Sequence, residues 1–186
     1  MKHKNTLITA GIAVSLAVFS AIALSANQDK YAVKVQNGLG FSDFKGYESW
    51  QLISVSLSGD KLVAVLGDPA TVAAFKAGIP GNGKPFPDGA RMAKVHWNSK
   101  KSDWEPGQPI LPDTQHDMDF MLKDSKRFAD SGGWGYAAFE YEAASNAFRP
   151  ADLSDKPPQA HDAKCGYACH TKVEKRDYVF TQYATR

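Results

Sequence analysis

Cysteine is scarce in this sequence. Only two of its 186 residues, Cys165 and Cys169, are cysteines, which excludes a small disulfide-rich scaffold. A large excess of one charge is also missing, because 22 lysines and arginines are balanced by 20 aspartates and glutamates. The charges are dispersed rather than grouped, so no basic surface large enough to follow a nucleic-acid backbone is expected. Nucleic acid is therefore not expected as a partner.

Long apolar runs are missing except at the N-terminus. There, Lys2 and Lys4 precede the apolar stretch 7–24, and small residues occupy 23–26. This order predicts a secretory signal peptide over residues 1–26, with an uncleaved membrane anchor as the alternative. A periplasmic location is the corresponding expectation. Residues 27–186 have the length of one ordinary domain.

Short alternating segments separated by glycine and proline dominate the rest of the chain. Residues 50–58 and 61–66 alternate around a Ser58-Gly59-Asp60 turn and predict a β-hairpin. Residues 69–76 predict a helix with Asp68 as its N-cap. Further strands are predicted over 90–97, 117–123 and 134–141, with loops over 78–89 and up to Pro112, and a surface connection over 143–164. The sequence predicts an α+β fold, a mainly antiparallel β-sheet domain with a few short helices.

The strand over 90–97 has two different faces. Because side chains alternate along a strand, its apolar face holds Ala93, Val95 and Trp97 and its other face holds Met92, Lys94 and His96. The apolar face is expected to lie against the core.

The clearest chemical pattern is the segment CGYACH, from Cys165 to His170. Two thiols followed directly by an imidazole are typical of covalent haem c attachment, in which the cysteines bond to the porphyrin and the histidine binds the iron. The usual spacing is C-x-x-C-H. Because this sequence has one extra residue between the cysteines, a thioether bond from Cys165 is less firmly predicted than one from Cys169. A disulfide between the cysteines, or a zinc site that also uses His161, remains an alternative.

Five blocks of sequence carry a family resemblance. They read GYESW at 46–50, LGDPATVAAF at 66–75, PFPDGARMAKVHW at 85–97, MLKDSKRFADSGGWGYAAF at 121–139 and CHTKVEKRDYVFTQY at 169–183. In this order they resemble the cytochrome P-460 family, which includes the cytochromes c′-beta. The resemblance implies a homodimer of mainly antiparallel β domains, each with one haem c whose iron is bound by His170 and is open on its distal side.

The resemblance also implies roles for three further residues. Lys94 matches the lysine that forms an extra covalent bond to the porphyrin in hydroxylamine-oxidising members, and a solvated strand lysine is the alternative. Asp119 lies where the family places a distal carboxylate that would accept protons, and an exposed carboxylate is its alternative. Phe86 would cap the distal pocket, as aromatic residues do in nitric oxide-binding members, or would pack in the core or its loop.

Three functional hypotheses follow from these residues. The first is oxidation of hydroxylamine, with Lys94 and Asp119 as catalytic residues and a soluble cytochrome as electron acceptor. The second is nitric oxide binding without turnover. The third is simple electron transfer at a six-coordinate iron, for which His96, His116 or His161 would supply the sixth ligand. No suitably placed methionine loop is evident, which counts against the third hypothesis.

Overall fold

The fold is a single meandering β-sheet with short helical segments. The computed structural model describes residues 29–151 and 162–184. Within them, six strands form one antiparallel sheet in the order β1 to β6, so that every strand pairs with its neighbours in sequence. The strands are β1 (Gln51–Ser58), β2 (Lys61–Gly67), β3 (Arg91–Lys101), β4 (Ile110–Lys123), β5 (Trp134–Glu142) and β6 (Ala147–Pro150), and the helices are α1 (Pro69–Lys76) and α2 (Tyr167–His170). The predicted α+β class is confirmed.

The N-terminal prediction concerns residues that the structure does not describe. The signal peptide predicted over 1–26 lies outside the described residues. In the part of the chain that is described, no helix has the length and apolar character needed to cross a membrane.

The first hairpin and the first helix form where the sequence predicts them. Ser58 pairs with Lys61 across the turn, where Gly59 adopts a positive φ of 60°. Helix α1 begins at Pro69, and the side chain of Asp68 accepts a hydrogen bond from the amide of Thr71 at 2.9 Å. Proline suits this first position because the amide hydrogen it lacks would have no partner inside the helix.

Strand β3 continues to Lys101, beyond its predicted end at residue 97, and two further strand predictions were wrong. Strand β4 begins at Ile110, inside the predicted loop. Its first residues pair only with the end of β3 and not with β5. In such a two-stranded ribbon one edge of each strand is unpaired, so Pro112 is tolerated. Strand β6 lies inside the predicted surface connection and pairs with the end of β5. Its four residues are too few for an alternating pattern to be recognised.

The two faces of the sheet bury different parts of the chain. On one face, the ring of Phe44 from the N-terminal segment stacks on Phe120 with 4.2 Å between the centroids. Ala93 and Val95 belong to the same buried cluster, with Trp97 packed against it, so the predicted apolar face of β3 is confirmed. Burial of one such aromatic side chain stabilises the fold by about 1.5–3 kcal/mol. The C-terminal segment packs on the opposite face of the sheet.

Candidate functional site

A cavity of about 990 Å³ borders the sheet face that carries Met92 and Lys94. Strands β2 to β5 line it, together with residues of the C-terminal segment. Pockets for small molecules and cofactors typically measure roughly 300–1,000 Å³, so this cavity is at the upper end of the range. Cys165, Cys169 and His170 all line it. The structure therefore brings the attachment motif to a cofactor-sized space.

The two cysteines of the motif have different surroundings. Cys165 is buried, and its thiol lies 3.0 Å from the carbonyl oxygen of Asp162 and 3.2 Å from the amide nitrogen of the same residue. Cys169 is exposed and belongs to the short helix α2, directly before His170. No disulfide joins the two thiols. Cys169 can therefore bond to a porphyrin without breaking the contacts of a buried thiol. A bond from Cys165 would displace the contacts of its thiol with Asp162.

His170 is held by a single strong hydrogen bond. Its Nδ1 lies 2.6 Å from the carbonyl oxygen of Tyr178. Because a carbonyl only accepts, Nδ1 carries the proton and Nε2 keeps a free lone pair, the form that binds iron. Asp177 and Tyr178 adopt left-handed backbone conformations, with φ of 49° and 63°, which turn the chain sharply at this carbonyl. Burial lowers the pKa of His170, so the imidazole is neutral at neutral pH.

Aromatic rings flank this imidazole. The ring centroids of Tyr136 and Phe180 each lie 5.0 Å from that of His170. The hydroxyl of Tyr136 is buried and has no hydrogen-bond partner among the described residues. Burial also raises the pKa of Tyr136, which keeps the hydroxyl protonated. The hydroxyl of Tyr136 can therefore donate a hydrogen bond, beside the cavity, to a bound cofactor or ligand.

Two cross-strand pairs put charge on the sheet side of the cavity. In the β3–β4 register, Lys94 is opposite Asp119 and His96 is opposite Asp117. The ammonium of Lys94 lies 3.5 Å from the carboxylate of Asp119, and both residues line the cavity. Nδ1 of His96 forms a very short contact with the carboxylate of Asp117. Side chains directly opposite each other on neighbouring strands interact, so the register itself positions both pairs.

A β-bulge brings a third basic group to this surface. The register of β3 and β4 shifts next to the pair of His96 and Asp117, leaving His116 without a partner residue on β3. Bulges redirect side chains and disturb the alternation of a strand. His116 accordingly lines the same cavity as Asp117, with Nδ1 3.1 Å from the Asp117 carboxylate. The side chain of Gln115 donates to the carbonyl oxygens of His96 and Asp117 at 3.0 and 3.1 Å.

The two carboxylates on this surface differ in acidity. Burial raises the pKa of Asp119, and the positive charges of Lys94 and His96 only partly offset the effect. Burial also acts to raise the pKa of Asp117, but hydrogen bonds and charge from His96 and His116 outweigh it and lower that pKa. Asp119 is thus the better proton acceptor, and Asp117 is the more firmly ionised group.

Phe86 lies away from this cavity. Its ring packs edge-on against Phe75 and Trp134, with centroids 5.0 and 5.7 Å apart, in a second buried cluster. Its amide donates to the carboxylate of Asp177 at 2.7 Å. Phe86 is not among the cavity-lining residues in the described part of the chain. In the structure Phe86 is therefore a packed core residue, and its role as a cap of the distal pocket stays a prediction.

The donor set suits a haem better than a zinc ion. Within residues 29–151 and 162–184, Cys165, Cys169 and His170 do not gather at metal-ligand distances, and the group that does is His96, Asp117 and Asp119, whose ligand atoms lie within 4.8 Å of one another. His161 lies outside the described residues. Two separate thiols, an imidazole with a free Nε2 and a large cavity are what covalent haem requires.

Sequence reasoning missed several residues of the site. It placed Tyr136 among the residues that pack in the core or against the haem, but it gave no role to its hydroxyl, to Asp117 or to the carbonyl of Tyr178. The spacing of Asp117 could have indicated its place in the site. Asp117 and Asp119 are two residues apart and therefore share one face of a strand, as Lys94 and His96 do. The sequence did not show, however, which strand pairs with this one or in which register. The roles of Tyr136 and of the Tyr178 carbonyl depend on contacts between segments that are distant in the chain.

The sequence matches a known protein family. The family model described as Cytochrome P460 matches residues 44–181. This range includes the whole sheet, the cavity-lining residues and the attachment motif. No curated protein matches the chain.

Proposed function

Because the chain belongs to the cytochrome P460 family of c-type haem proteins, we propose that it oxidises hydroxylamine at its haem. The products are at the level of nitric oxide or nitrous oxide, and a soluble cytochrome accepts the electrons. The leader-like N-terminus supports a periplasmic location for this reaction.

The C-terminal segment supplies the residues that would hold the cofactor. Cys169 would form a thioether, Cys165 a second one, and His170 would bind the iron through Nε2. When bound, haem supplies a coordination position and a path for electrons. The hydrogen bond from Nδ1 of His170 to Tyr178 would fix the orientation of the imidazole and increase its basicity. The hydroxyl of Tyr136, which has no hydrogen-bond partner among the described residues, is available as a donor.

The pair formed by Lys94 and Asp119 is the observation that carries the proposal. Both residues line the cavity that also contains His170 and both cysteines. Oxidation of hydroxylamine releases protons, and a carboxylate with a raised pKa is suited to accept them. A pocket that only binds a diatomic gas has no need of such a base. Lys94 is also placed on the cavity face, as a lysine that bonds to the porphyrin must be.

The optical spectrum of the ferrous protein tests the proposal. A nitrogen bond from Lys94 would change the electronic structure of the porphyrin and move the Soret band well to the red of an ordinary c-haem. Both Lys94→Ala and Lys94→Arg should restore an ordinary spectrum and suppress hydroxylamine-dependent reduction of an artificial acceptor. The arginine variant keeps the charge but is a poor nucleophile, so it separates bonding from electrostatics.

Lys100→Ala is the matched control for these variants. Lys100 lies on the same strand and pairs with Asp113 at 2.8 Å, away from the cavity lining. Its spectrum and activity should equal those of the native protein. An ordinary native spectrum together with no hydroxylamine-dependent reduction would contradict the proposal and favour nitric oxide binding without turnover.

We also propose that the protein is a homodimer, which the family resemblance implies. Light scattering on the eluate of a gel-filtration column measures the mass directly. A mass of one chain at micromolar concentration would contradict the proposed dimer.

A further inference from the structure

A histidine and two aspartates meet on the sheet side of the cavity. His96 of β3 and Asp117 and Asp119 of β4 each offer one ligand atom, and these atoms lie within 4.8 Å of one another. Nε2 of His96 lies 3.9 Å from the carboxylate of Asp119. Two ligand atoms that share a zinc ion at about 2.0–2.2 Å each are at most about 4.4 Å apart. Small side-chain rotations are therefore enough to bring the three groups to coordination distance.

The contacts of Asp117 prepare His96 as a ligand. Nδ1 of His96 contacts the carboxylate of Asp117, and the side chain of His96 is only 11% exposed. Because an ionised carboxylate only accepts hydrogen bonds, Nδ1 carries the proton and Nε2 keeps its lone pair on the side of Asp119. Histidines that bind metal ions usually donate their other nitrogen to a carboxylate or carbonyl in this way. The imidazole is thus already oriented for an ion.

Asp117 itself is also free to bind. Nδ1 of His96 and Nδ1 of His116 both contact the same oxygen of Asp117, His116 at 3.1 Å. Its second oxygen is left for an ion. Carboxylates that bind metal ions are themselves held by hydrogen bonds, and the bulge that turns His116 toward Asp117 supplies one here.

The charges around the three residues favour a cation. Lys94 of β3 lies 3.5 Å from Asp119 and is the cation that an ion would replace there. Two carboxylates face this one ammonium, so the group keeps a net negative charge. Glu140 of β5 is opposite Asp117 in the register, but it pairs with Arg149 of β6 and is not needed as a ligand.

The donor set selects the kind of ion. Imidazole nitrogen suits zinc and its neighbours among the transition metals, whereas magnesium and calcium prefer six or more oxygen ligands. Three protein ligands leave the fourth position of a zinc ion open, which is typical of exchangeable rather than structural sites. The side chain of Asp119 is 40% exposed and lines the cavity, so an ion can enter from there.

We propose that His96, Asp117 and Asp119 form a binding site for a divalent metal ion of the zinc type, separate from the iron-binding histidine His170. Nε2 of His96 and one oxygen from each carboxylate are the ligands. The open position of the ion faces the cavity.

One consequence rests on the proposed function. An ion bound to the Asp119 carboxylate prevents it from accepting protons, so zinc should inhibit hydroxylamine oxidation. In His96→Gln the same zinc concentration should inhibit much less, when each protein is compared with its own rate without zinc. The site would then regulate the reaction.

Calorimetric titration of the ferric holoprotein with zinc tests the site without hydroxylamine. Any thiol that remains free is first alkylated, so that sulfur does not compete for the ion. One zinc ion should bind to each chain, and an excess of magnesium should not displace it. His96→Gln and Asp119→Asn should each weaken binding at least about tenfold, since even the loss of a residue that only supports a ligand costs this much.

Two variants serve as matched controls. Asp113→Asn removes a carboxylate from the same strand, but one that pairs with Lys100 away from the cavity lining. His161→Gln removes a histidine that lies near the attachment motif in the sequence. Both should bind zinc with the native affinity. An unchanged Soret band and melting temperature show that each variant is folded and loaded with haem.

X-ray absorption at the zinc edge gives a second readout, to which haem iron does not contribute. The native spectrum should show oxygen and nitrogen ligands at about 2.0–2.2 Å, with imidazole scattering that disappears in His96→Gln. A sulfur ligand, or imidazole scattering that persists in His96→Gln, would overturn the proposal.

The outcomes separate this site from the proposed function. Zinc binding that His96→Gln and Asp119→Asn both weaken supports the site, even if the native protein does not oxidise hydroxylamine. Absence of zinc binding at micromolar concentration, or native affinity in both variants, would overturn the site, even if hydroxylamine is oxidised.

Discussion

The ammonium of Lys123 lies 2.7 Å from the carboxylate of Asp177, and only 6% and 11% of the two side chains are exposed. Lys123 ends strand β4, whereas Asp177 directly precedes the residue whose carbonyl accepts the hydrogen bond of His170. The other oxygen of Asp177 accepts from the amide of Phe86. This buried pair therefore fixes the chain that orients the imidazole.

Removal of one partner of this pair should be strongly destabilising. We expect Lys123→Met to lower the free energy of unfolding by about 3–5 kcal/mol, because it leaves the Asp177 carboxylate buried without its cation. Chemical denaturation measures the change. Lys100→Ala removes an exposed pair and should change the free energy of unfolding only slightly, because solvent and salt screen such pairs. Equal losses in the two variants would contradict the structural role of the buried pair.

A glycine next to the same segment should control the position of Tyr178. A Cβ atom on Gly132 would lie 2.2 Å from the ring of Tyr178, and Gly132 has a φ of 69°. Gly132→Ala should displace this tyrosine, weaken the hydrogen bond of His170 and alter the iron–histidine vibration in the Raman spectrum. Gly107→Ala is the matched control, since Gly107 has a φ of 80° but no neighbour within 4 Å. It should be mildly destabilising and leave the vibration unchanged.

The two cysteines should contribute unequally to haem attachment. Replacing Cys169 should abolish stable covalent haem, because this exposed thiol is directly joined to His170. Cys165→Ala should leave one thioether and a fraction of holoprotein. Mass spectrometry after acid-acetone extraction measures both. Loss of all haem from Cys165→Ala alone, or a native chain without covalent haem, would contradict this prediction.

The ferric haem should be high-spin, because the family pattern offers only His170 as an axial side chain and Nδ1 of His96 already contacts the carboxylate of Asp117. Electron paramagnetic resonance of the resting protein measures the spin state. A low-spin signal that becomes high-spin on replacement of His96 or His116 would instead support a six-coordinate electron-transfer cytochrome.

Stability should depend on pH through Asp119. Its pKa is raised by burial, so the folded state favours the neutral carboxyl. This contribution to stability is fully present below the pKa of the unfolded chain and is lost as pH rises through the folded-state pKa. Because asparagine mimics the neutral form, Asp119→Asn should raise the melting temperature at pH 7 and leave it nearly unchanged at pH 3.

Asp113→Asn should behave in the opposite way. The hydrogen bond from Lys100 lowers the pKa of Asp113, so its contribution is present above the unfolded pKa and is lost as pH falls through the folded-state pKa. This variant should melt slightly below the native protein at pH 7 and converge with it in acid. Calorimetry across this pH range measures both variants, and shifts of the same sign would contradict the assignment for Asp119.

The sequence by itself determined the local elements and the family. Turn residues and alternation located the first hairpin and the two faces of β3, and Asp68 and Pro69 located α1, because these signals act between residues close in the chain. The motif from Cys165 to His170 was recognisable for the same reason.

Only the tertiary structure decided which residues meet in the site. The sequence did not reveal the register that places Lys94 opposite Asp119 and His96 opposite Asp117, because a shift of one residue would reverse the faces of a strand. A β-bulge turns His116 toward the cavity. The same bulge interrupts the alternation of side chains from which the strand was predicted. The contact of His170 with Tyr178 needs a left-handed turn that non-glycine residues adopt only when surrounding packing holds them there.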